Sequence, residues 1–206
     1  MKSIRQNHFG QMLILIAIGL LAACATHSYI DVRYQLPLNS AELKGRTVSL
    51  DFKDLRPEKN FLSPAAQKDF KGFSGLFSLY ISSEIQKNEL VGGFNVETLF
   101  REAFKRRLEA MGVKVVPPAS DNSVPVIKLG LNEFYLDFKS RKWITSVGYQ
   151  ARLSAPGGRS ATETVSVTGE RAKIIGKGDA EKYLGDLFTD SMNKLDIYKL
   201  FQQAGL

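Results

Sequence analysis

Residues 143–155 read WITSVGYQARLSA. Trp143, Thr145, Val147, Tyr149, Ala151, Leu153 and Ala155 alternate with Ile144, Ser146, Gly148, Gln150, Arg152 and Ser154. A period of two over this length is that of a strand with one face in a core. Upstream, VIKLGLNEFYLDF at 126–138 puts Ile127, Leu129 and Leu131 on one face. Phe134, Leu136 and Phe138 share a face too, but the phase slips by one. A β-bulge near Asn132-Glu133 brings both sets to the core side. KSRK at 139–142 turns the chain between these two strands. PGGR at 156–159 is a second turn, and SATETVSVTGERAKII, 160–175, pairs back. The three strands form an antiparallel meander.

Two amphipathic helices flank it. Val96, Leu99, Phe100, Ala103, Phe104, Leu108 and Met111 fall on one helical face. Asn95 is the N-cap, Phe94 and Leu99 form a hydrophobic staple, and Gly112 is the stop. The outer face pairs Glu97 with Arg101, Glu102 with Arg106 and Lys105 with Glu109. KRR, 105–107, therefore reads as a solvated helix face rather than a nucleic-acid patch. The second helix opens at an Asp179 N-cap. Its stripe is Ala180, Tyr183, Leu184, Leu187, Phe188, Met192 and Leu195, and a short helix follows over 197–203. The glycines of GKGD, 176–179, lack the full spacing of a phosphate loop, and Asp179 would compete with an anion.

The earlier segments carry shorter signals. RTVSLDF, 46–52, alternates as a strand, and DLRPEKN after it is a turn stopped by Pro57. LFSLYI at 76–81 and VKVV at 113–116 are strands. Residues 60–75 and NELVGGFN read as irregular or loop. Together these elements predict the α+β class: two layers, a mostly antiparallel sheet and two main amphipathic helices on one face. The single domain spans 44–206. Residues 24–43 form a tether, with a first strand around Tyr29–Tyr34 and a break at Pro37.

The front end has a different composition. Met1 to His8 carries Lys2 and Arg5 and no acid, and Phe9 to Leu21 is almost wholly apolar. Ala22 and Ala23 then precede Cys24. This is a secretory signal over residues 1–23, with cleavage between Ala23 and Cys24. The apolar run is well short of the roughly 20 residues that span a bilayer. Leu21-Ala22-Ala23-Cys24 resembles the bacterial lipobox, in which the cysteine thiol receives a diacylglycerol and the new amino terminus is acylated. Two or more chains hold a protein stably on a membrane. Ala25 follows the cysteine in place of Asp. Under the sorting rule of enteric bacteria, the resemblance implies the outer membrane, with the domain facing the periplasm.

The chain has 206 residues, one cysteine and two histidines. Its formal charge is +7, from 28 basic and 21 acidic side chains. Removing the signal takes away Lys2 and Arg5, leaving a mildly basic 183-residue protein. That protein keeps His27 and a lipidated Cys24. No intrachain disulfide is available, and a zinc site needs three or four ligands. A Ser-His-Asp or Cys-His arrangement would have to use His27, three residues from the anchor. Only carboxylate, Lys or Tyr chemistry remains open to an enzyme, and the reading is non-enzymatic, with no metal and no cofactor beyond the covalent lipid on Cys24.

Several fragments resemble YajG-type envelope lipoproteins. LKGRTVSLDFKDLRP is similar to their opening strand and Asp-x-Arg turn. LFREAFKRRLEAMGVKVV is similar to their first helix and following strand. VIKLGLNEFYLDF with YQARLSA resembles the long hairpin, and LFTDSMNKLDIYKLFQQ the C-terminal helix pair. The resemblance implies an exported lipoprotein with no assigned catalytic activity. A second resemblance, through Tyr34-Gln35-Leu36, is to the auxiliary lipoproteins of envelope lipid-transport systems of the ABC type. The expected function is thus a binding or assembly module of the envelope, with a lipid-transport subunit as the alternative. Its partners are membrane lipid through the anchor and envelope proteins or a second copy; nucleic acid is not among them.

Three polar candidates remain. Asp54 and Arg56 form a turn with an Asx hydrogen bond or an ion pair, and a partner-binding motif is the sharper reading. Lys139, Arg141 and Lys142 make a basic hairpin tip that is either a solvated turn or a membrane-facing one, with Trp143 in the core stripe or at the headgroups. Glu133 and Asp137 flank the bulge on the outer face and read as surface.

Overall fold

A computed structural model describes residues 28–118, 123–174 and 176–206. The strands in chain order are β1 (Ser28–Gln35), β2 (Thr47–Asp54), β3 (Phe73–Ser82), β4 (Glu89–Phe94), β5 (Lys114–Val116), β6 (Val126–Lys139), β7 (Lys142–Ser154) and β8 (Ser160–Ala172). The helices are α1 (Val96–Ala110), α2 (Lys177–Lys194) and α3 (Ile197–Ala204).

The α+β class and the meander hold. β6, β7 and β8 pair antiparallel along their whole length. Leu131 stands opposite Tyr149 and Glu133 opposite Gly148, so Asn132 is the extra residue of a bulge. Leu131 and Phe134 consequently both face inward, at 0% and 1% exposure. On the other side of β6 the pairing changes. β2 runs parallel to both β6 and β5, giving the order β5-β2-β6-β7-β8.

The remaining strands form a second sheet, β1-β3-β4, where a single sheet was expected. β1 is parallel to β3, and β3 is antiparallel to β4. Both sides of β2 are occupied by β5 and β6, so β1 has no place beside it. NELVGGFN contributes the strand β4 rather than a loop. The antiparallel ladders of the meander are the longest among the described residues.

Phe134, just past the bulge, joins the layers. Its ring lies 4.6 Å from Phe61, 5.5 Å from Phe77 of β3, 5.1 Å from Phe100 of α1 and 6.4 Å from Phe188 of α2. Such aromatic contacts add to the burial of apolar area that drives the fold. Tyr149 of β7 packs against Phe104 of α1, and its hydroxyl donates to the Ser191 carbonyl of α2 at 2.9 Å. The helices thus cover the inner face of the larger sheet.

β1 belongs to the folded unit, inside the stretch read as a tether. Ile30, Val32 and Tyr34 are buried, and alternate residues turn their backbone toward α2. Lys177 and Asn193 donate to the carbonyls of Tyr29 and Gln35; Glu181 and Thr189 accept from the N–H groups of Asp31 and Gln35. These helix residues are spaced by four, with one eight-residue gap centred on Gly185. They form one stripe along α2. The helix therefore covers a strand edge that would otherwise be left with unpaired backbone groups.

Candidate functional site

Leu21, Ala22, Ala23 and Cys24, which the sequence suggests as a lipobox and cleavage site, lie outside the described residues, as does His27. The described chain opens at Ser28, already in β1. Three residues separate it from Cys24 in the sequence.

Asp54 and Arg56 do come together, at the end of β2. The Asp54 carboxylate accepts from the Arg56 backbone N–H at 3.1 Å, closing the Asx turn. It also accepts from Arg56 Nε at 3.0 Å and Nη2 at 2.8 Å, a bidentate pair. Arg56 is only 5% exposed, and its Nη1 donates to the Phe134 carbonyl at 3.0 Å. Lys59 adds a bond to the Asp54 carbonyl at 2.8 Å. Partial burial works to raise the Asp54 carboxyl, but hydrogen bonds from the Arg56 side chain and backbone, the Arg56 charge and Lys59 outweigh it, bringing the pKa to about 2. The motif is a clamp that pins the loop after β2 onto the bulged strand.

Beside this clamp the outer face of the larger sheet has a cleft of about 550 Å³. Pro57 and Glu58 line it from the loop, Glu133 and Tyr135 from β6, Gly148 from β7 and Thr164 from β8. Gly148 keeps the floor open: a methyl group there would stand 3.3 Å from the Glu133 Cβ. Glu133, read from the sequence as plain surface, thus lies in a concave region created by the bulge. The cleft offers carboxylates, a phenol and hydroxyls for hydrogen bonding, and neither histidine nor cysteine. Among the described residues no group of His, Cys, Asp and Glu is arranged to hold a metal ion, and no helix is long and apolar enough to cross a membrane.

The basic tip is a two-residue turn. Ser140 and Arg141 have φ of 52° and 62°, as a type I′ hairpin turn requires. Lys139, Arg141 and Lys142 are exposed, and Lys142 pairs with Glu170. Trp143 is fully buried against Phe138 and Phe70, so it sits in the core and not at the tip surface.

One polar centre departs from the sequence reading. Arg107 is buried, although KRR was read as a solvated face. It falls on the inner stripe of α1, seven residues after Phe100 and three after Phe104. Its guanidinium donates to the carbonyls of Met192, Asn193 (3.3 Å) and Leu195 (2.6 Å) at the C-terminus of α2. These are groups a helix leaves unpaired at its negative end. Tyr34 stands beside them, donating to the Asn193 side chain at 3.0 Å. Burial raises the Tyr34 and Tyr149 phenols well above their usual range, against the opposing charge of Arg107. The centre holds the fold together, with Tyr34, Arg107 and Tyr149 all buried.

No protein-family model matches the sequence, and no curated protein does. Among solved structures the fold is similar to that of protein XCC0632 from Xanthomonas campestris, assigned to family model DUF330. The TM-score is 0.54 at 11% identity, over 85% of this chain and 95% of that one. A looser similarity is to rare lipoprotein B from Shewanella oneidensis, with a TM-score of 0.43 at 12% identity over 78% of this chain and 98% of that one. A minor lipoprotein from Acinetobacter baumannii gives 0.36 at 13% identity over 78% and 93%. At such identities the first similarity shows a shared fold.

Proposed function

We propose that this chain is a lipid-anchored lipoprotein of the bacterial cell envelope, held on the outer membrane, facing the periplasm and acting as a non-enzymatic binding or assembly module. The observation that carries the reading is the lipobox Leu21-Ala22-Ala23-Cys24, set three residues ahead of a strand whose side chains enter the core. An anchor so close to the fold confines the whole domain to the membrane surface and raises its effective concentration for a partner there.

The open edge of β8 is the surface such a module offers. Ala155 donates to Arg159 at 2.8 Å and Lys173 to Arg141 at 3.0 Å, which fixes the phase of the ladder between β7 and β8. Odd-numbered residues of β8 bond to β7, and even-numbered ones, from Ser160 to Ala172, turn their N–H and C=O groups outward. Among the described residues no strand pairs with that side, and Lys194 reaches the Ser166 carbonyl at 3.2 Å. An open edge is a template for strand addition by a partner or a second copy.

The Tyr34-Gln35-Leu36 segment, which suggested the lipid-transport subunit, docks β1 against α2 and Asn193. It has a structural role here and gives that alternative no added weight. A photo-crosslinking residue at Thr164 or Thr168, in living cells, tests the binding reading, with Lys53 on β2 as control. A discrete adduct from β8 and none from Lys53 is the expected result. No adduct from β8, with an unchanged envelope in cells lacking the protein, would overturn it.

A further inference from the structure

We propose that the end of the domain bearing Ser28 is its membrane-apposed surface, fitted to a leaflet rich in anionic phosphate headgroups. The proposal rests on the lipid-anchor reading. Four residue steps separate Cys24 from Ser28, so the anchor lies within about 14 Å of that residue, at roughly 3.6 Å per step. Strand β6, with 14 residues, extends about 40 Å from one end of the larger sheet to the other. The anchor can therefore reach one end only.

Contacts identify that end. The Ser28 N–H donates to the Gly72 carbonyl at 3.3 Å, and Lys177 Nζ lies 3.4 Å from Ser28 Oγ. Lys177 also sits over the Phe70 ring, next to Asp69. Asp69 pairs with Lys173 at 2.6 Å, and the Lys173 N–H donates to the Arg141 carbonyl at 3.0 Å. The basic hairpin tip and the entry of the chain thus belong to one surface, although more than 100 residues apart in sequence.

The chemistry of this surface suits a headgroup layer. Lys68, Lys71, Lys139 and Arg141 are exposed, outside the pairs that join Lys142 to Glu170, Lys173 to Asp69 and Lys177 to Glu181. Ile174, 82% exposed, projects an apolar side chain among them. Cations with an apolar residue between them are the pattern of an interfacial contact. Charge alone does not choose the end, because Arg46, Lys114 and Arg159 mark the opposite one; the length of chain from Cys24 does.

Lysine acetylation of the full-length lipidated protein, read by mass spectrometry, tests this. The protein is placed in vesicles of phosphatidylethanolamine with phosphatidylglycerol, in vesicles carrying lipopolysaccharide, in phosphatidylcholine vesicles and in detergent. Lys68, Lys71 and Lys139 should label about fivefold more slowly in an anionic vesicle than in detergent, the scale of one cation's attraction to such a leaflet. Lys44, Lys114 and Lys128 should label alike throughout. Protection in only one of the two anionic vesicles identifies which phosphate source is preferred. Equal labelling of both ends, or equal protection in phosphatidylcholine, overturns the proposal. A parallel palmitate label separates this failure from failure of the anchor: label present with no protection sinks the surface alone.

Discussion

Gly185 of α2 lies so close to β1 that a methyl group on it would stand 3.0 Å from the Arg33 carbonyl oxygen and 3.2 Å from the Arg33 nitrogen. That approach lets Lys177, Glu181, Thr189 and Asn193 reach the edge of β1. The same helix presents Phe188 to the core. Both functions depend on a residue without a side chain at the middle of α2.

Gly185→Ala should therefore destabilise the protein, although alanine is the better helix former by about 1 kcal/mol. The obstructing atoms are backbone in a paired strand, and overpacking of this kind costs about 1–3 kcal/mol. Chemical denaturation reads the sign. A more stable variant would show that β1 and α2 are not in this contact.

Arg107→Met should cost about 3 kcal/mol, because it leaves buried helix-terminal carbonyls without a donor. Arg107→Lys should recover only part, since one ammonium cannot reproduce the planar fork that spans Met192 and Leu195. Urea midpoints of the three proteins check the order.

Asp54→Asn should lower stability at neutral pH by about 2 kcal/mol, less than for a fully buried pair because Asp54 is partly solvated. The Asp54 carboxyl is depressed in the folded state, from 3.8 to about 2. Its contribution is thus present above pH 3.8 and lost as the pH falls through about 2. Wild type and variant should converge in thermal midpoint over that window, and parallel curves would refute the clamp.

The turn sequence Ser140-Arg141 is poorly matched to its geometry, since both residues hold positive φ. Ser140→Asn with Arg141→Gly should stabilise the hairpin by about 1 kcal/mol. Differential scanning calorimetry measures the gain.

The meander, the bulge at Asn132 and the bounds of α1 were legible because alternation and helical spacing are local signals. Asn95 caps α1 as its sequence suggests, accepting from Thr98 N–H at 2.9 Å. Asp179, read as the cap of α2, instead lies in its first turn and accepts from the Ile174 N–H at 2.7 Å. The division into two sheets was not legible, because strand partners are chosen by long-range packing. Arg107 was missed for a related reason. Its charge suggested solvent, while its place on the stripe with Phe100, Phe104 and Leu108 pointed inward. The Asp54–Arg56 pair was visible as a turn, but its bond to Phe134 depends on a residue 78 positions away. The cleft beside Glu133 needed the bulge and the clamp together.

The central claim is the anchor at Cys24, and metabolic labelling with palmitate tests it most directly. The wild-type protein should take up label and fractionate with the outer membrane, while Cys24→Ala should take up none. A wild-type protein that stays unlabelled would contradict the account.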